Sequence, residues 1–476
     1  MKQKVIVKSF LWTALESYSS QGIAFIVSIF MARILTPDDY GIIGIIGVFL
    51  ALSDIFIDSG FSNALINKQN CTKADFSTVF YTNIVISLVF FAILFFCAPL
   101  IASFYKNPVL VWTTRAMALT FVISSFGAVS MTILTKELRF KAKAIITFIV
   151  SCISGFIGIY LAYNGWGVWA LVWQAVISCA ARTIISIIYA KWKPELIFNK
   201  ESFKGLFKFG SNLLGSNILF TIYNNIYTLV IGKVFNPKEL GYFSRAEGYS
   251  KLIPNNIGGI LGKILFPILS KIQDNDVELQ ILRHKFVVIT SAFIFPASLI
   301  IAGLAAPMVF LFITEKWMPV VPLLQILCYG GILEHIGTIN SNFILAKGKP
   351  SFFLRMHLYT KPAGIIILVV TMLFNLQIVA VGKVIYSILC AITSYIFVKR
   401  VLRVSVWSDV RELFKILAIC IVISVVCMIL FNHIAYSWHA LSIAFILSCL
   451  VYIVGLYFFA PNIWQDVKFL IFKRNK

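Results

Sequence analysis

The amino-acid sequence predicts an all-α polytopic membrane protein with about fourteen transmembrane helices, and three observations support this prediction. Of the 476 residues, 60% are hydrophobic and only 13% are charged, whereas soluble domains carry about a quarter charged residues. Apolar runs of about 20 residues, which is the length of a helix that crosses a bilayer, recur along the chain. A polar segment from the first half also returns in the second half, which predicts two related helical bundles.

The clearest repeat is a short polar segment between two long apolar runs. Residues 33–41 read RILTPDDYG and residues 233–241 read KVFNPKELG, so a cation, a proline, an acid and a glycine share one register. Proline cannot continue the helix before it but suits the first turn of the helix after it. Acidic side chains in that turn face the positive end of the helix dipole. We interpret the segment as a tight connector between antiparallel membrane helices, with defining positions Arg33, Pro37, Asp39 and Gly41.

Two shorter repeats follow the connector in the same order. Ala98-Pro99 returns as Ala306-Pro307, and residues 133–136 (ILTK) return as residues 344–347 (ILAK). The offset between copies grows slowly, as small loop insertions would make it grow. Membrane transporters are often built by such duplications, with the substrate site between the halves. The repeats therefore predict a duplicated transporter.

Fourteen helices can be placed on the apolar runs. Their predicted starts lie near Ser9, Tyr40, Ser77, Leu110, Ala144, Trp166, Phe209, Lys238, Arg283, Val320, Ser351, Gln377, Arg411 and Ser437. The eighth helix contains Pro254 and Gly258-Gly259, which predict an interruption. The last two helices have no counterpart in the first half and are expected to be peripheral.

The domain organisation follows from these helices. Residues 1–190 form an N-terminal six-helix bundle, and residues 209–400 form a C-terminal six-helix bundle. Between them, residues 191–208 are predicted to be a basic cytoplasmic linker with an interfacial helix that contacts anionic membrane lipids. Residues 401–476 contain two additional transmembrane helices and a basic cytoplasmic tail.

The distribution of positive charge predicts the topology. A net charge of +22 would suggest nucleic-acid binding in a soluble chain. Here most Lys and Arg residues lie in every second connector and at both ends, which indicates that both termini are cytoplasmic and that nucleic acid is not a partner. The cations assigned to the opposite side are Arg33, Lys106, Lys233, Lys238 and Lys316.

Several cations lie within the apolar runs. Each would cost about 3 kcal/mol at the bilayer centre if it faced lipid, so some are expected to face a wet cavity. The set is Arg115, Arg182, Arg245, Lys251, Lys263, Lys361 and Lys383. Arg115 and Lys383 are close enough to a helix end to reach the headgroups, as Arg182 also can, and Lys263 lies near the cytoplasmic end of its helix. The candidates for an anion-binding cavity are Arg245, Lys251, Lys361 and Arg182. Internal ion pairs, such as Lys361 with Glu334, are the alternative interpretation.

Acidic residues in the apolar runs are fewer and are candidates for coupling-ion binding or gating. Asp54 and Asp58 lie four residues apart, and hence on one helical face. Two carboxylates at membrane depth would favour a shared proton or cation, although Asp58 can also reach the cytoplasmic headgroups. Glu334 is the third candidate and lies in the second half.

Nothing in the sequence indicates catalysis, a metal site or a cofactor. The nine cysteines form no CxxC pair and most lie in apolar runs. The histidines are scattered, and the connectors on the side opposite the termini are short. No phosphate-binding loop is present, so the predicted energy source is an Na⁺ or H⁺ gradient rather than ATP.

Four segments carry a resemblance to a known family. They are residues 32–41 (ARILTPDDYG), 58–66 (DSGFSNALI), 77–83 (STVFYTN) and 240–246 (LGYFSRA). The chain resembles polysaccharide exporters of the Wzx type, most closely the WzxC-like colanic acid exporter branch. These proteins belong to the multidrug/oligosaccharidyl-lipid/polysaccharide (MOP) flippase superfamily. Members often have an aromatic residue where this chain has Glu247, so the resemblance assigns that carboxylate no role.

The resemblance implies two facing six-helix bundles that work by alternating access in the bacterial inner membrane. The implied substrate is an undecaprenyl-diphosphate-linked oligosaccharide repeat unit, moved from the cytoplasmic to the periplasmic leaflet for exopolysaccharide, capsule or O-antigen synthesis. A polysaccharide polymerase of the same pathway is the implied protein partner. A monomer is expected, because an internal repeat removes the usual need for a dimer.

Three other functions remain open at this point. A flippase for the lipid-linked peptidoglycan precursor and a drug/cation antiporter belong to the same superfamily. An antiporter for cations would require an excess of acids in its cavity, whereas the second half has an excess of bases. A membrane polysaccharide polymerase or ligase is the alternative from another class, and it would be expected to need a sizeable periplasmic loop.

Overall fold

The computed structural model describes residues 20–58, 61–68, 70–269, 272–273, 275–402 and 405–472. The predicted fold class is confirmed, because the described elements are helices and the protein is a multi-pass helical membrane protein. Internal contacts divide the chain into two compact units, Met1–Gly241 and Tyr242–Lys476. The domain boundaries at residues 190, 208 and 400 stay a prediction.

The first unit contains eight helices within the described ranges. They are α1 (Ser20–Ile34), α2 (Pro37–Asp58), α3 (Phe61–Asn67), α4 (Lys73–Tyr105), α5 (Val109–Lys136), α6 (Phe140–Tyr163), α7 (Val168–Ala190) and α8 (Lys200–Val234). Helix α8 is continuous from Lys200, so residues 203–208, predicted to be interfacial, form its first turns.

Helix α9 (Pro237–Leu269) begins at the end of the first unit and continues into the second. The other helices of the second unit are α10 (Asp276–Gly303), α11 (Ala305–Ile313), a 3₁₀ turn (Glu315–Trp317), α12 (Val320–Gly331), α13 (Glu334–Ala346), α14 (Pro350–Thr371), α15 (Leu376–Leu402), α16 (Trp407–His433), α17 (Trp438–Phe459) and α18 (Pro461–Phe472). The interruption predicted in α9 was wrong, because that helix runs through Pro254 without a break. Helix α18 was not predicted.

Ten helical segments are long and apolar enough to cross a membrane, as judged by length and composition among the described residues. One of them, Val320–Ala346, consists of α12 and α13, which are separated by a short break before Glu334. Helices α2, α8 and α9 and the partly described α1 complete the fourteen predicted helices. The predicted start near Ser9 lies outside the described residues.

The repeated connector has the same capping arrangement in both copies. Thr36 precedes Pro37, the first residue of α2. Its Oγ1 accepts from the backbone N–H of Asp39 over 3.4 Å, and its own backbone N–H donates to Asp39 Oδ2 over 2.8 Å. In the second copy, Asn236 precedes Pro237, and Asn236 Oδ1 accepts from the backbone N–H of Glu239 over 2.8 Å. These bonds satisfy backbone donors at the helix starts, which otherwise lack partners.

The repeated lysines Lys136 and Lys347 also have equivalent roles. Lys136, the last residue of α5, donates to the carbonyls of Leu65 and Lys68 over 2.8 and 2.5 Å. Lys347, directly after α13, donates to Gln273 O over 2.7 Å and pairs with Asp276 Oδ1 over 2.6 Å. Each lysine thus holds the connector that precedes the third helix of its own repeat.

The C-terminal helices are integrated into the core of the second unit, which corrects the expectation that they are peripheral. Helix α16 packs along α10, and Arg283 Nη1 lies 2.6 Å from Asp409 Oδ2 with both side chains almost completely buried. Tyr452 on α17 donates to Ala292 O over 2.7 Å. The sequence did not indicate this packing, because Arg283 and Asp409 each resemble a charge at a helix start.

Candidate functional site

A cluster of buried charges lies in the second unit, on helices α9 and α15. Lys383 Nζ on α15 lies 2.5 Å from Glu247 Oε1 on α9, and Lys251 Nζ lies 2.7 Å from the same oxygen. Lys251 is one turn after Glu247 on the same helical face, where side chains at i and i+4 meet. One carboxylate oxygen therefore bridges two ammonium groups, and we call these three residues the charge cluster.

The charge cluster borders the break between α12 and α13. A small cavity joins it to Gly330 and Gly331 at the end of α12 and to Glu334 at the start of α13. A Cβ on Gly330 would lie 3.2 Å from Val384 Cα, so the glycine permits close packing of α12 against α15. Interrupted helices in membranes expose polar backbone where it lines a cavity, and such breaks mark the substrate sites of transporters.

Lys383 does not reach the headgroups as the sequence suggested. Its side chain is only 14% exposed, and Nζ lies 5.3 Å from the ring centroid of Phe243 in addition to its ion pair. An ammonium group in this position is stabilised by the nearby carboxylate and the aromatic face. The expected excess of bases is thus offset: two lysines are balanced by Glu247 in the cluster and by Glu334 at its edge.

A larger cavity of about 380 Å³ lies next to the charge cluster and also includes Glu334. We call it the polar chamber. Its wall combines hydroxyl, amide, imidazole and apolar groups from α13, α14 and α15: Gly337, Thr338, Ser341, Asn342, Leu345, Phe353, Met356, His357, Thr360, Tyr386, Cys390 and Ser394. The lining residues recur every three or four positions, so one face of each helix faces the chamber.

The structure places the other predicted cavity residues in separate positions. Arg245 is half-buried on α9, two residues before Glu247. Lys361 is half-buried on α14, directly after Thr360 of the polar chamber. Arg182 lies in the first unit, in a cavity of about 490 Å³ between α5 and α7 that also exposes hydroxyls of Thr120, Ser124 and Ser178.

Of the three predicted coupling residues, two lie on α2 and one lies on α13. Asp54 and Asp58 belong to α2, but their side chains, like that of Lys263, lie outside the described part of the chain. Glu334 is the first residue of α13 and lines both the small cavity and the polar chamber. Lys251 and Lys383 both form ion pairs with Glu247, whereas Glu334 forms no ion pair among the described residues.

Of the predicted site residues, the structure brings Lys251 and Glu334 together and adds Glu247 and Lys383 to them. The spacing of Glu247 and Lys251 was a local signal that the two could pair. No local signal linked Lys383 to them, because it lies 136 positions from Glu247 in sequence. That pairing depends on how α15 packs near α9.

Comparisons with known proteins agree with the membrane fold. The sequence model of a family described as "Polysaccharide biosynthesis protein" matches residues 30–322. An "uncharacterized membrane protein in cps region" of Klebsiella pneumoniae is 27% identical over 402 residues, which cover 82% of this chain and 81% of that protein. The lipopolysaccharide biosynthesis protein WzxC of Escherichia coli (strain K12) is 24% identical over 354 residues, which cover 73% and 71%.

Among solved structures, the lipid II flippase MurJ in an inward closed conformation has a similar fold. The TM-score is 0.73 with 16% sequence identity, and the match covers 97% of this chain and 99% of that chain. At this identity the similarity concerns the fold alone.

Proposed function

The chain belongs to the polysaccharide biosynthesis protein family, and from that premise we propose that it is a flippase for undecaprenyl-diphosphate-linked oligosaccharide repeat units. It moves them from the cytoplasmic to the periplasmic leaflet by alternating access, for the synthesis of a surface polysaccharide. We place it in the bacterial inner membrane with both termini in the cytoplasm, because the basic connectors favour that orientation.

The observation that carries this proposal is the charge cluster beside an interrupted helix. A diphosphate brings charge that cannot cross hydrocarbon without counter-ions, and lysine ammonium groups are strong donors to phosphate oxygens. Lys251 and Lys383 place two such groups around one point in the second unit. The sequence similarity to the lipopolysaccharide biosynthesis protein WzxC of Escherichia coli supports a role in the synthesis of a surface polysaccharide.

Glu247 acts as the counter-ion of the two lysines when no substrate is bound. Removing one partner from a buried ion pair costs about 3–5 kcal/mol, because the other charge stays buried and unpaired. A diphosphate oxygen that replaces the carboxylate oxygen would keep both ammonium groups paired. Binding is therefore an exchange of one anion for another, and both ammonium groups keep a partner in the loaded and empty states.

The remaining predicted residues have supporting roles in the proposal. Arg245 and Lys361 flank the charge cluster and the polar chamber in sequence, and Arg182 supplies positive charge in the first unit. Asp54, Asp58 and Glu334 are the proposed sites of Na⁺ or H⁺ coupling. We also propose the bundle boundaries at residues 1–190 and 209–400, with a polysaccharide polymerase as the protein partner.

We infer a transporter rather than an enzyme. A polymerase or ligase acts on sugars outside the membrane, and the predicted connectors on that side are short. The proposed chemistry is therefore binding and release, without bond formation.

The test uses cells that lack this protein but keep the rest of the pathway. We expect the lipid-linked repeat unit to accumulate on the cytoplasmic leaflet, and the intact protein to relieve that accumulation. Lys383→Ala and Lys251→Ala should each reduce relief at least tenfold at equal protein levels. The matched control is Lys285→Ala, which removes an exposed lysine of α10. Accumulation on the periplasmic leaflet would instead indicate a defect after flipping and would refute the proposal.

A further inference from the structure

The polar chamber differs in chemistry from the charge cluster beside it. Its described lining contains hydroxyls, one amide and one imidazole, and the only charged side chain in it is the carboxylate of Glu334. No lysine or arginine is among those lining residues. A diphosphate would therefore meet the Glu334 carboxylate and no basic side chain in the lining itself, so the charge cluster, with its two lysines, suits that group better.

The hydroxyl and amide groups are held by their own helix, which orients them towards the chamber. Thr338 Oγ1 donates to Glu334 O over 3.3 Å, and Asn342 Nδ2 donates to Thr338 O over 2.9 Å. Thr360 Oγ1 donates to Met356 O over 3.0 Å. Each of these side chains donates one O–H or N–H to a carbonyl of its own helix. The hydroxyl oxygens and Asn342 Oδ1 can still accept hydrogen bonds from the hydroxyls of a ligand.

Another part of the wall is apolar and aromatic. Phe353 packs edge-on against His357 with 4.5 Å between ring centroids, and Leu345 and Met356 complete this surface. A ligand with many hydroxyls and apolar C–H faces matches such a mixed wall. The volume of about 380 Å³ falls within the roughly 300–1,000 Å³ typical of small-molecule sites.

Glu334 connects the two regions. It lines the small cavity of Lys251 and Lys383 and also the polar chamber, so the two sites adjoin at the start of α13. A ligand that spans them must carry an anionic group directly linked to a neutral polyhydroxylated group. A sugar diphosphate has that order of groups.

We propose that the polar chamber is the subsite for the uncharged sugar that is attached directly to the diphosphate of the lipid-linked substrate. This inference rests on the proposed function, and it adds which residues determine the sugar that the protein accepts. The charge cluster binds the diphosphate of any such substrate, and the chamber determines which sugar is accepted.

The experiment compares two probes on the purified full-length protein. One is undecaprenyl diphosphate, which has no sugar, and the other is the lipid-linked repeat unit extracted from cells that lack this protein. Binding of each probe is measured for the wild type, for Thr338→Val, Ser341→Ala and Asn342→Ala in the chamber, and for Lys383→Ala in the cluster. Ser442→Ala is the matched control, because this exposed serine donates to Trp438 O on α17.

The wild type is expected to bind the sugar-bearing lipid more tightly than undecaprenyl diphosphate. Chamber variants should lose at least fivefold in affinity for the sugar-bearing lipid and keep their affinity for undecaprenyl diphosphate. Lys383→Ala should lose affinity for both probes. Thermal unfolding of each variant shows whether a loss of affinity results from unfolding. Because the three chamber variants change separate positions, the test still applies if one of them does not fold.

Two contrary results are distinguishable. Chamber variants that bind both probes as the wild type does, or that lose both equally while folded, would overturn the sugar subsite and leave the flippase proposal standing. A wild type that binds neither probe would overturn the proposed function together with the subsite.

Discussion

Gly41 lies directly against the backbone of Pro237, so the two copies of the repeated connector cross in contact. A Cβ built on Gly41 would lie 1.7 Å from Pro237 O, and a Cβ on Gly241 would lie 1.9 Å from Pro37 O. Each glycine thus meets the proline of the other copy, which is the reciprocal arrangement expected of a duplicated element. The same glycine and proline positions that define the repeat in sequence form its contact in the structure.

Gly41→Ala is expected to destabilise the protein, because the added methyl group would require two backbones to separate. Overpacking typically costs about 1–3 kcal/mol, and here the obstructing atoms are backbone rather than a flexible side chain. The matched control is Gly47→Ala on the same helix, where a Cβ would have no neighbour within 4 Å. Thermal unfolding in detergent should show a lower Tm for Gly41→Ala alone, and equal Tm values would contradict the crossing.

The buried ion pair of Arg283 and Asp409 should be essential for holding α16 against α10. Asp409→Asn leaves the Arg283 guanidinium buried with a weaker partner, and removing one member of such a pair costs about 3–5 kcal/mol. Asp276→Asn removes a carboxylate that is 59% exposed and pairs with Lys347, so it should cost about 1 kcal/mol or less. The measurement is again thermal unfolding. A similar Tm for the two variants would contradict the interpretation of α16 as part of the core.

The charge cluster should show strong coupling in a double-mutant cycle. Glu247→Gln leaves Lys251 and Lys383 close together without their shared carboxylate, so we expect a clear loss of stability. Lys383→Met removes one of the two cations, and Glu247→Gln combined with Lys383→Met should be less destabilised than the sum of the single variants. Such contacting residues couple by about 0.5–3 kcal/mol. Strictly additive losses would show that Glu247 and Lys383 do not interact.

Lys136 should protect Cys71 from modification. Its ammonium group lies 2.7 Å from Cys71 Sγ and also binds the carbonyls of Leu65 in α3 and of Lys68 in the connector between α3 and α4. Lys136→Ala should loosen this connector and increase several-fold the rate of N-ethylmaleimide labelling at Cys71, measured at a pH above the ordinary pKa of a thiol so that loss of the ammonium group does not itself slow the reaction. Cys97, on the apolar part of α4, serves as an internal control whose labelling should not change. Unchanged labelling of Cys71 would indicate that other contacts hold the connector.

The sequence by itself determined the order of the long helices, most of their starts and the duplication. These features depend on local signals: apolar runs of bilayer length, prolines that begin helices, and acids or amides that cap them. Thr36 with Asp39 and Asn236 with Glu239 are separated by three residues, so their hydrogen bonds can form whenever the local helix forms. Predicted and observed helix starts therefore agree along most of the chain.

Only the tertiary structure decided which charges meet. Glu247 and Lys251 are neighbours on one helix, but Lys383 joins them from a helix 136 positions away in sequence. Arg283 and Asp409 likewise look like separate charges at helix starts, yet they form one buried pair. A buried charge reveals only that a partner is required, because desolvation makes an unpaired charge unfavourable. Which partner satisfies it depends on the packing of distant helices, and that information is absent from local sequence.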